Sequence, residues 1–398
     1  MKLKILKFIN ENDDWEKILT SSPYNLTIKR KGEYILIKYS QIFSDFTEPM
    51  VREARGLIIK RVGHKYKVVC MPFTKFFNVG DPNAKSDIKK LCHRKKWYVE
   101  EKIDGSLTKA FYDDGSWHIA TNGTPCAFDA PLQFPMNGLN NYGDLFGYAS
   151  KGKIDYDKLD KQYTYMFELV GLENKVIVPY TTEDVCYLGK RNNYTLIETP
   201  YFKDDCIGVE RCKRPKCWIV DIKGSPKKAL EELKQQVNSL TKECENFEGY
   251  VVSDESLKTR IKMKSNQYME LSSQKGEGVF SPKKILLMIL DQKDDDLLSL
   301  FPEYKPQFDT VRNLFCVWLE KVKDDLRYMS SHSWEDQKSF AEWAKGTTCQ
   351  SITFSAYKSK EDWSGEWLEG QIKNMQISSL LKHLGLKETP IDIEGGEK

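Results

Sequence analysis

The sequence predicts an α+β fold in two domains: antiparallel sheets with flanking helices over residues 1–275, then an all-helical domain over residues 276–398. Three observations carry that expectation. From about residue 24 to about residue 265, short β-branched and aromatic runs are punctuated by turn residues, the pattern of strands. Beyond about residue 275 the apolar residues recur at three- and four-residue steps, which is the helical period. The chain, at 398 residues, also exceeds one ordinary domain, so two cores are expected.

The elements follow in order. Residues 97–101 read as a strand that runs into Lys102-Ile103-Asp104-Gly105-Ser106. Residues 107–112 and 117–121 form a hairpin, because Asp114-Gly115 supplies the tight turn between them. Further strands are expected over 163–170, 175–180, 185–190 and 248–252. A helix begins at Pro226, a residue suited to the first turn, and Leu230, Leu233 and Val237 fall on one of its faces. In the tail, Ser281-Pro282-Lys283 caps a helix carrying Ile285, Leu286 and Ile289. A longer helix bears a single apolar stripe: Phe308, Val311, Phe315, Trp318, Leu319, Val322 and Leu326. The last, over 377–384, stops at Gly385 in the cap position.

Composition narrows the class. Apolar residues at 40% and charged residues at 30% describe a globular protein, neither disordered nor membrane-embedded. The first nine residues are broken by lysines and hold no apolar stretch long enough for a signal peptide or a span, so a cytoplasmic location without membrane contact is expected. Ten scattered cysteines lack the density of a stapled secreted domain and read as reduced thiols. Cys206, Cys212 and Cys217, with Cys244, have spacings unlike the common zinc knuckles and rank as thiols before ligands. A net charge of +3 is too small to bind nucleic acid by the whole surface, so binding would rest on a local patch. The basic run from Glu210 to Lys216 is one such stretch, equally readable as a solvated loop.

The chemistry centres on Lys102. An amine attacks phosphorus only when neutral, which calls for burial, neighbouring cations or a metal-bound phosphate. By itself a Lys-x-Asp-Gly string proves little, since three fixed residues recur by chance in about one chain in ten of this size. Other charges give it context. Lys262 and Lys264 alternate with Ile261 and Met263, so they share one strand face, and something anionic should sit between them unless both point to water. Glu248 stands at the mouth of an apolar strand beside Gly249, a residue that allows close approach of a ligand or backbone. Glu168 lies inside the apolar run Met166-Phe167-Glu168-Leu169-Val170, where it needs a partner or an exposed edge strand. Arg55, in Arg52-Glu53-Ala54-Arg55-Gly56, and Lys75, followed by Phe76 and Phe77, complete the set. The two aromatics suit either a base-stacking wall or a core.

In this order the set resembles the covalent nucleotidyltransferases, the ATP-dependent polynucleotide ligases and RNA capping enzymes defined by Lys-x-Asp-Gly. Glu-Ala-Arg-Gly at 53–56, Lys-Phe-Phe-Asn at 75–78, Glu-Lys-x-Asp-Gly-Ser at 101–106 and Lys-x-Lys-Ser at 262–265 are similar to the phage RNA ligases that join single-stranded ends and repair cleaved tRNA anticodon loops. The resemblance spans residues about 35 to 300. It implies a nucleotidyltransferase domain whose Lys102 is adenylylated by ATP. It further implies that Tyr39, Arg55, Lys75, Ile103, Gly105, Lys262 and Lys264 surround the nucleotide. Glu168 would meet the ribose or a metal-bound water, Glu248 would help hold magnesium, and Asp295, within Asp294-Asp295-Asp296, would assist the metal. Tyr268 would serve the final step on RNA.

The same resemblance implies single-stranded RNA or nicked tRNA loop ends as partners, an end-healing kinase or phosphatase in the same route, and a monomer. Two departures stand out: Thr121-Asn122-Gly123, where relatives often carry a basic residue before the glycine, and Gly171-Leu172, where a proline commonly follows the glutamate. DNA ligases and capping guanylyltransferases share the lysine motif, but they usually append an oligonucleotide-binding barrel where this chain predicts helices. A non-catalytic RNA-binding scaffold would have no reason to keep every charged member of the set.

Overall fold

The computed structural model describes residues 3–40, 44–136, 138–171, 180–243, 247–265, 281–290, 294, 298, 304–359 and 365–386. The chain divides into two compact units, Met1–Ser272 and Ser273–Lys398.

In the first unit the strands are β1 (Leu26–Lys31), β2 (Tyr34–Tyr39), β3 (Arg55–Val62), β4 (Lys65–Cys70), β5 (Phe77–Asn78), β6 (Lys96–Glu101), β7 (Ser106–Asp113), β8 (Ser116–Thr121), β9 (Pro131–Met136), β10 (Leu139–Asn141), β11 (Tyr163–Val170), β12 (Asp184–Asn192), β13 (Glu198–Pro200), β14 (Cys217–Asp221), β15 (Gly249–Asp254) and β16 (Arg260–Lys264). They form a four-stranded sheet in the order β1-β2-β3-β4 and two five-stranded sheets, β13-β12-β11-β7-β8 and β14-β6-β15-β16-β5, with β9 and β10 as a separate ribbon. All pairings are antiparallel except the short β16–β5 contact, which is parallel. At the β7–β8 turn Asp114 and Gly115 both take positive φ, 47° and 81°, as a hairpin turn matched to strand twist requires.

Helices cover the outer faces. The helix Lys4–Glu11 buries Ile5 and Ile9 in the core of the four-stranded sheet, because its lysines fall on the other side. Glu53 ties that helix down, its carboxylate accepting from the backbone N–H of Ile5 at 2.9 Å and of Lys4 at 3.2 Å. Tyr142–Ser150 packs Leu145, Phe146 and Ala149 on Tyr165, Phe167 and Leu169 of β11. The alternate residues of β11, Glu168 among them, therefore point to the opposite side, toward the interior between sheets. Pro226–Glu243 sets Leu233 and Val237 against Val252, Ile261 and Met263. By the same alternation Lys262 and Lys264 are turned away from that helix.

The second unit is helical throughout its described residues: Pro282–Leu290, Lys305–Ser331, Gln337–Ala344, Gln350–Ser359, Gly365–Asn374 and Ile377–His383. The stripe from Phe308 to Leu326 is buried along its length. Gly385 takes φ +68°, as a helix cap in the left-handed region does. Among the described residues no helix is long and apolar enough to cross a membrane. The strand expected over 175–180 falls mostly outside the described residues.

Candidate active site

The site is built where β6 ends. Lys102 follows that strand directly, and its backbone N–H donates to Gly249 O at 2.8 Å, which fixes the lysine beside the start of β15. Gly249 in turn lets β16 come close on its other side: at φ +149° a Cβ there would lie 1.9 Å from Met263 O. The open choice between a ligand and backbone beside Gly249 thus resolves to backbone, the neighbouring strand β16.

Glu248 is the hub. Only 2% exposed, it receives the Lys102 ammonium on Oε2 at 2.6 Å and the Lys264 ammonium on Oε1 at 3.1 Å. A carboxylate taken out of water needs such partners, and two cations so close need the carboxylate. This changes the expected picture of Lys102. Its nearest charged contact is an anion, so the resting amine is held in an ion pair and not isolated among cations.

Glu168 stands opposite. The edge-strand alternative fails, because β11 is paired on both sides, to β7 and β12. Burial pushes its carboxyl up to about 7, Lys102 and Arg55 pulling it down while Glu248 and Asp104 add to the rise. Those four groups thus share one environment with Glu168. Asp104 is 4% exposed. Gly105 lets the loop lie against β11, since a Cβ there would be 2.4 Å from Leu169 O and 3.0 Å from Glu168 Cγ. Ile103 is half-buried in the same loop.

Arg55 enters from β3, at a bulge. The β2–β3 register slips between Ile37 and Lys38, leaving Gly56 as the extra residue at φ +78°. The Arg55 guanidinium lies over the Phe76 ring at 5.0 Å, and its buried Nη1 has no hydrogen-bond partner among the described residues. A buried donor left so is suited to an anionic or hydroxylic ligand.

Lys75 and Tyr39 are also brought together. The Lys75 ammonium sits 5.1 Å from the Tyr39 ring, 5.0 Å from Phe46 and 5.3 Å from Phe77. Of the two aromatics after Lys75, Phe77 goes to the core at 1% exposure, while Phe76 lies between the guanidinium groups of Arg55 and Arg260. Lys262 is half-buried on the Lys264 face of β16, its backbone paired with Val251 and Asn78. Tyr268 and Asp295 lie outside the described residues. The neighbouring Asp294 is buried and ion-paired with Arg312.

Cys206 and Cys212 donate to backbone carbonyls at 3.5–3.7 Å, Cys217 contacts Trp218 O at 3.9 Å, and Cys244 lies outside the described residues. Two site neighbours escaped sequence reading. Tyr180 has its phenol raised by burial and by Asp104, Glu248 and Glu168, which places it against the carboxylates. Lys109, on β7, is wholly buried behind Arg55. Tyr180 closes an apolar run and Lys109 sits in a strand pattern, and neither position is marked by spacing.

Among the described residues no three acidic or thiol side chains converge tightly enough to hold a metal by themselves. Glu168, Glu248 and Asp104 nonetheless suit a hard cation that keeps waters and takes one or two carboxylates along with phosphate oxygens. Like charges that raise the Glu168 carboxyl are what such a cation relieves.

A half-buried lysine clamped on a buried carboxylate, with a second acid opposite and an arginine beside it whose Nη1 has no hydrogen-bond partner among the described residues, is an arrangement suited to an anionic substrate. Comparison with known proteins supplies the class: the RNA ligase family of T4 type matches residues 53–268, more than half of the chain, and the chain belongs to it. A protein of Autographa californica nuclear polyhedrosis virus, named for a bifunctional polynucleotide kinase/RNA ligase, is 29% identical over 297 residues, covering 71% of this chain and 40% of the viral protein. The chain thus spans less than half the length of that relative. An RNA ligase of Rhodothermus phage RM378 is 26% identical over 317 residues, covering 68% of this chain and 70% of its own. RNA ligase 1 of bacteriophage TS2126 is 30% identical over 152 residues, 37% of this chain and 36% of its own. Among solved structures, an archaeal ATP-dependent RNA ligase is 14% identical over 86% of this chain and 89% of its own, at a TM-score of 0.44, too distant to bear on the site.

Proposed function

We propose that this chain is an ATP-dependent RNA ligase that joins a 5′-phosphate to a 3′-hydroxyl through an adenylate on Lys102. The observation that carries the reading is the contact of Lys102 Nζ with Glu248 at 2.6 Å, with Lys264, Glu168, Arg55 and Asp104 gathered around it. In the first step the Lys102 nitrogen forms a bond to the α-phosphorus of ATP, the bond to the bridging oxygen breaks, and pyrophosphate leaves with the electron pair. The amine must shed its proton and leave Glu248 to do so. Phosphate charge entering beside Lys264 and Lys262 competes for those cations and loosens the pair.

Magnesium, held by Glu248 and Glu168, would supply neutralisation of phosphate charge and of the leaving group. Tyr39, Lys75, Ile103 and Gly105 line the nucleotide, and Arg55 offers its free Nη1 to phosphate or ribose. Positioning provides most of the acceleration. In the second step a 5′-phosphate oxygen of RNA attacks the lysyl phosphorus, releasing the amine. In the third step the 3′-hydroxyl attacks the 5′-phosphorus, AMP leaves, and Tyr268 assists. The substrates are single-stranded RNA ends or nicked tRNA loops, healed beforehand by a kinase or phosphatase. The name of the nuclear polyhedrosis virus relative supports that pairing. The enzyme acts as a cytoplasmic monomer.

The test is covalent labelling by α-labelled ATP with magnesium, followed by 5′-phosphorylated single-stranded RNA. Lys102→Ala is expected to abolish the label. Labelling of that variant at full stoichiometry, or a wild-type protein that never labels, overturns the reading.

A further inference from the structure

Lys109 is an expensive residue. It is 0% exposed, and the charged or titratable groups facing it are the Arg55 guanidinium from β3 and the Cys70 thiol from β4, neither of them an acid at neutral pH. Burial holds its ammonium down to about 8, and Arg55 adds to the fall while Cys70 opposes it. A buried lysine without a carboxylate weakens the fold, and a methionine of similar length would fill the space at less cost. Such a group is retained for what it holds.

It holds the bulge. Lys109 Nζ donates to Gly56 O at 2.8 Å, across from β7 to the extra residue of the β2–β3 bulge. Gly56 is enclosed on that side: a Cβ there would lie 2.8 Å from Lys109 Nζ and 2.9 Å from Asn122 Cα. The bulge re-aims the residue next to it. That residue is Arg55, which faces Glu168 and keeps a buried Nη1 without a hydrogen-bond partner among the described residues. Beside them Asn122 Oδ1 is also buried and unpartnered.

We propose that Lys109 is a positioning residue for adenylate transfer, its ammonium pinning the Gly56 carbonyl so that the bulge presents Arg55 to the substrate. The proposal rests on the ligase reading of the site, and it goes beyond it by assigning a task to a side chain that no substrate can reach. Binding of the carbonyl fixes the peptide plane between Gly56 and Leu57. The preceding Arg55 is thereby held in one direction, and its guanidinium meets phosphate without first having to reorganise.

The experiment uses the full chain. Wild type is first shown to form the lysyl adenylate, since its failure there sinks the ligase reading and is recognisable as such. Lys109→Met is then expected to melt at the same temperature as wild type or higher, yet to form the adenylate about 10- to 100-fold more slowly at saturating ATP. In an Arg55→Ala background, Lys109→Met is expected to change the rate by less than about 2-fold, because residues acting through one another do not add. Lys109→Gln, which keeps one donor for the carbonyl, should recover part of the rate and supplies the measurement if the methionine variant does not fold. A wild-type rate in either variant overturns the proposal. So does a loss that multiplies fully with that of Arg55→Ala, or one that merely tracks lowered melting.

Discussion

Glu248 and Glu168 are both buried carboxylates, and their surroundings separate them. Glu248 has an ammonium on each oxygen, whereas Glu168 has its carboxyl raised to about 7, chiefly by burial. The sign for stability follows. A carboxyl whose folded pKa lies above its ordinary value binds its proton more tightly in the native state, so stability falls as pH rises from about 4.5 through about 7. Glu168→Gln escapes that loss. It is expected to be more stable than wild type by about 1–2 kcal/mol at pH 8 and near parity at pH 4, while losing lysine labelling. Melting curves at the two pH values with a labelling assay check this, and a variant less stable at pH 8 would contradict it.

Pairing of strands decides which residues can approach. Gly249 opens β15 opposite Lys264 of β16, so Gly249→Ala drives a methyl group into Met263 O and forces apart the strand that follows Glu248 and the strand that carries Lys264. A loss of about 3 kcal/mol in urea unfolding is expected. A second device joins two of the sheets. Glu198 accepts from Arg191 at 2.5 Å and from Arg260 at 2.6 Å, no side chain of the three being more than 10% exposed, and Arg260 in turn stacks on Phe76, which carries Arg55 on its ring. Burial would raise the Glu198 carboxyl, but Arg260 and Arg191 outweigh it and hold it below the usual range. Glu198→Gln removes the carboxylate that both guanidinium groups share, although Arg260 still faces Glu100 and Asp254. The expected cost is about 3–5 kcal/mol at neutral pH, and a change below 1 kcal/mol would show that the trio is not a structural lock.

Each of the two units has its own buried apolar set, which at the level of the whole chain predicts separable folding. A fragment of residues 1–272 is expected to melt in one cooperative transition by circular dichroism, since its sheets and covering helices form cores within that span. Labelling of that fragment at the full-length rate would overturn the expectation that Asp295, which lies beyond it, assists the metal. Much of this organisation was legible beforehand. Ile261 and Met263 alternate with Lys262 and Lys264 because one face of β16 meets a helix. Asp114-Gly115 marks its turn because only such residues accept two positive φ angles cheaply. The stripe from Phe308 to Leu326 declares a helix because one side must be buried.

Other residues gave no such sign. Lys109 sits in a strand covered on both faces, so its charge carries no indication of burial, and Glu53 reads as part of a motif while its carboxylate caps a helix. Local periodicity records only which side of an element is apolar. Sequence alone therefore determined the two-part α+β plan and the ordered series of charges from Arg55 to Lys264. The tertiary structure decided that Lys102 rests on Glu248, 146 positions away, and that Arg260 rests on Glu198, 62 positions away. Such partners are chosen by how sheets stack and by the cost of burying a charge alone, and neither is written in the spacing of residues along one strand.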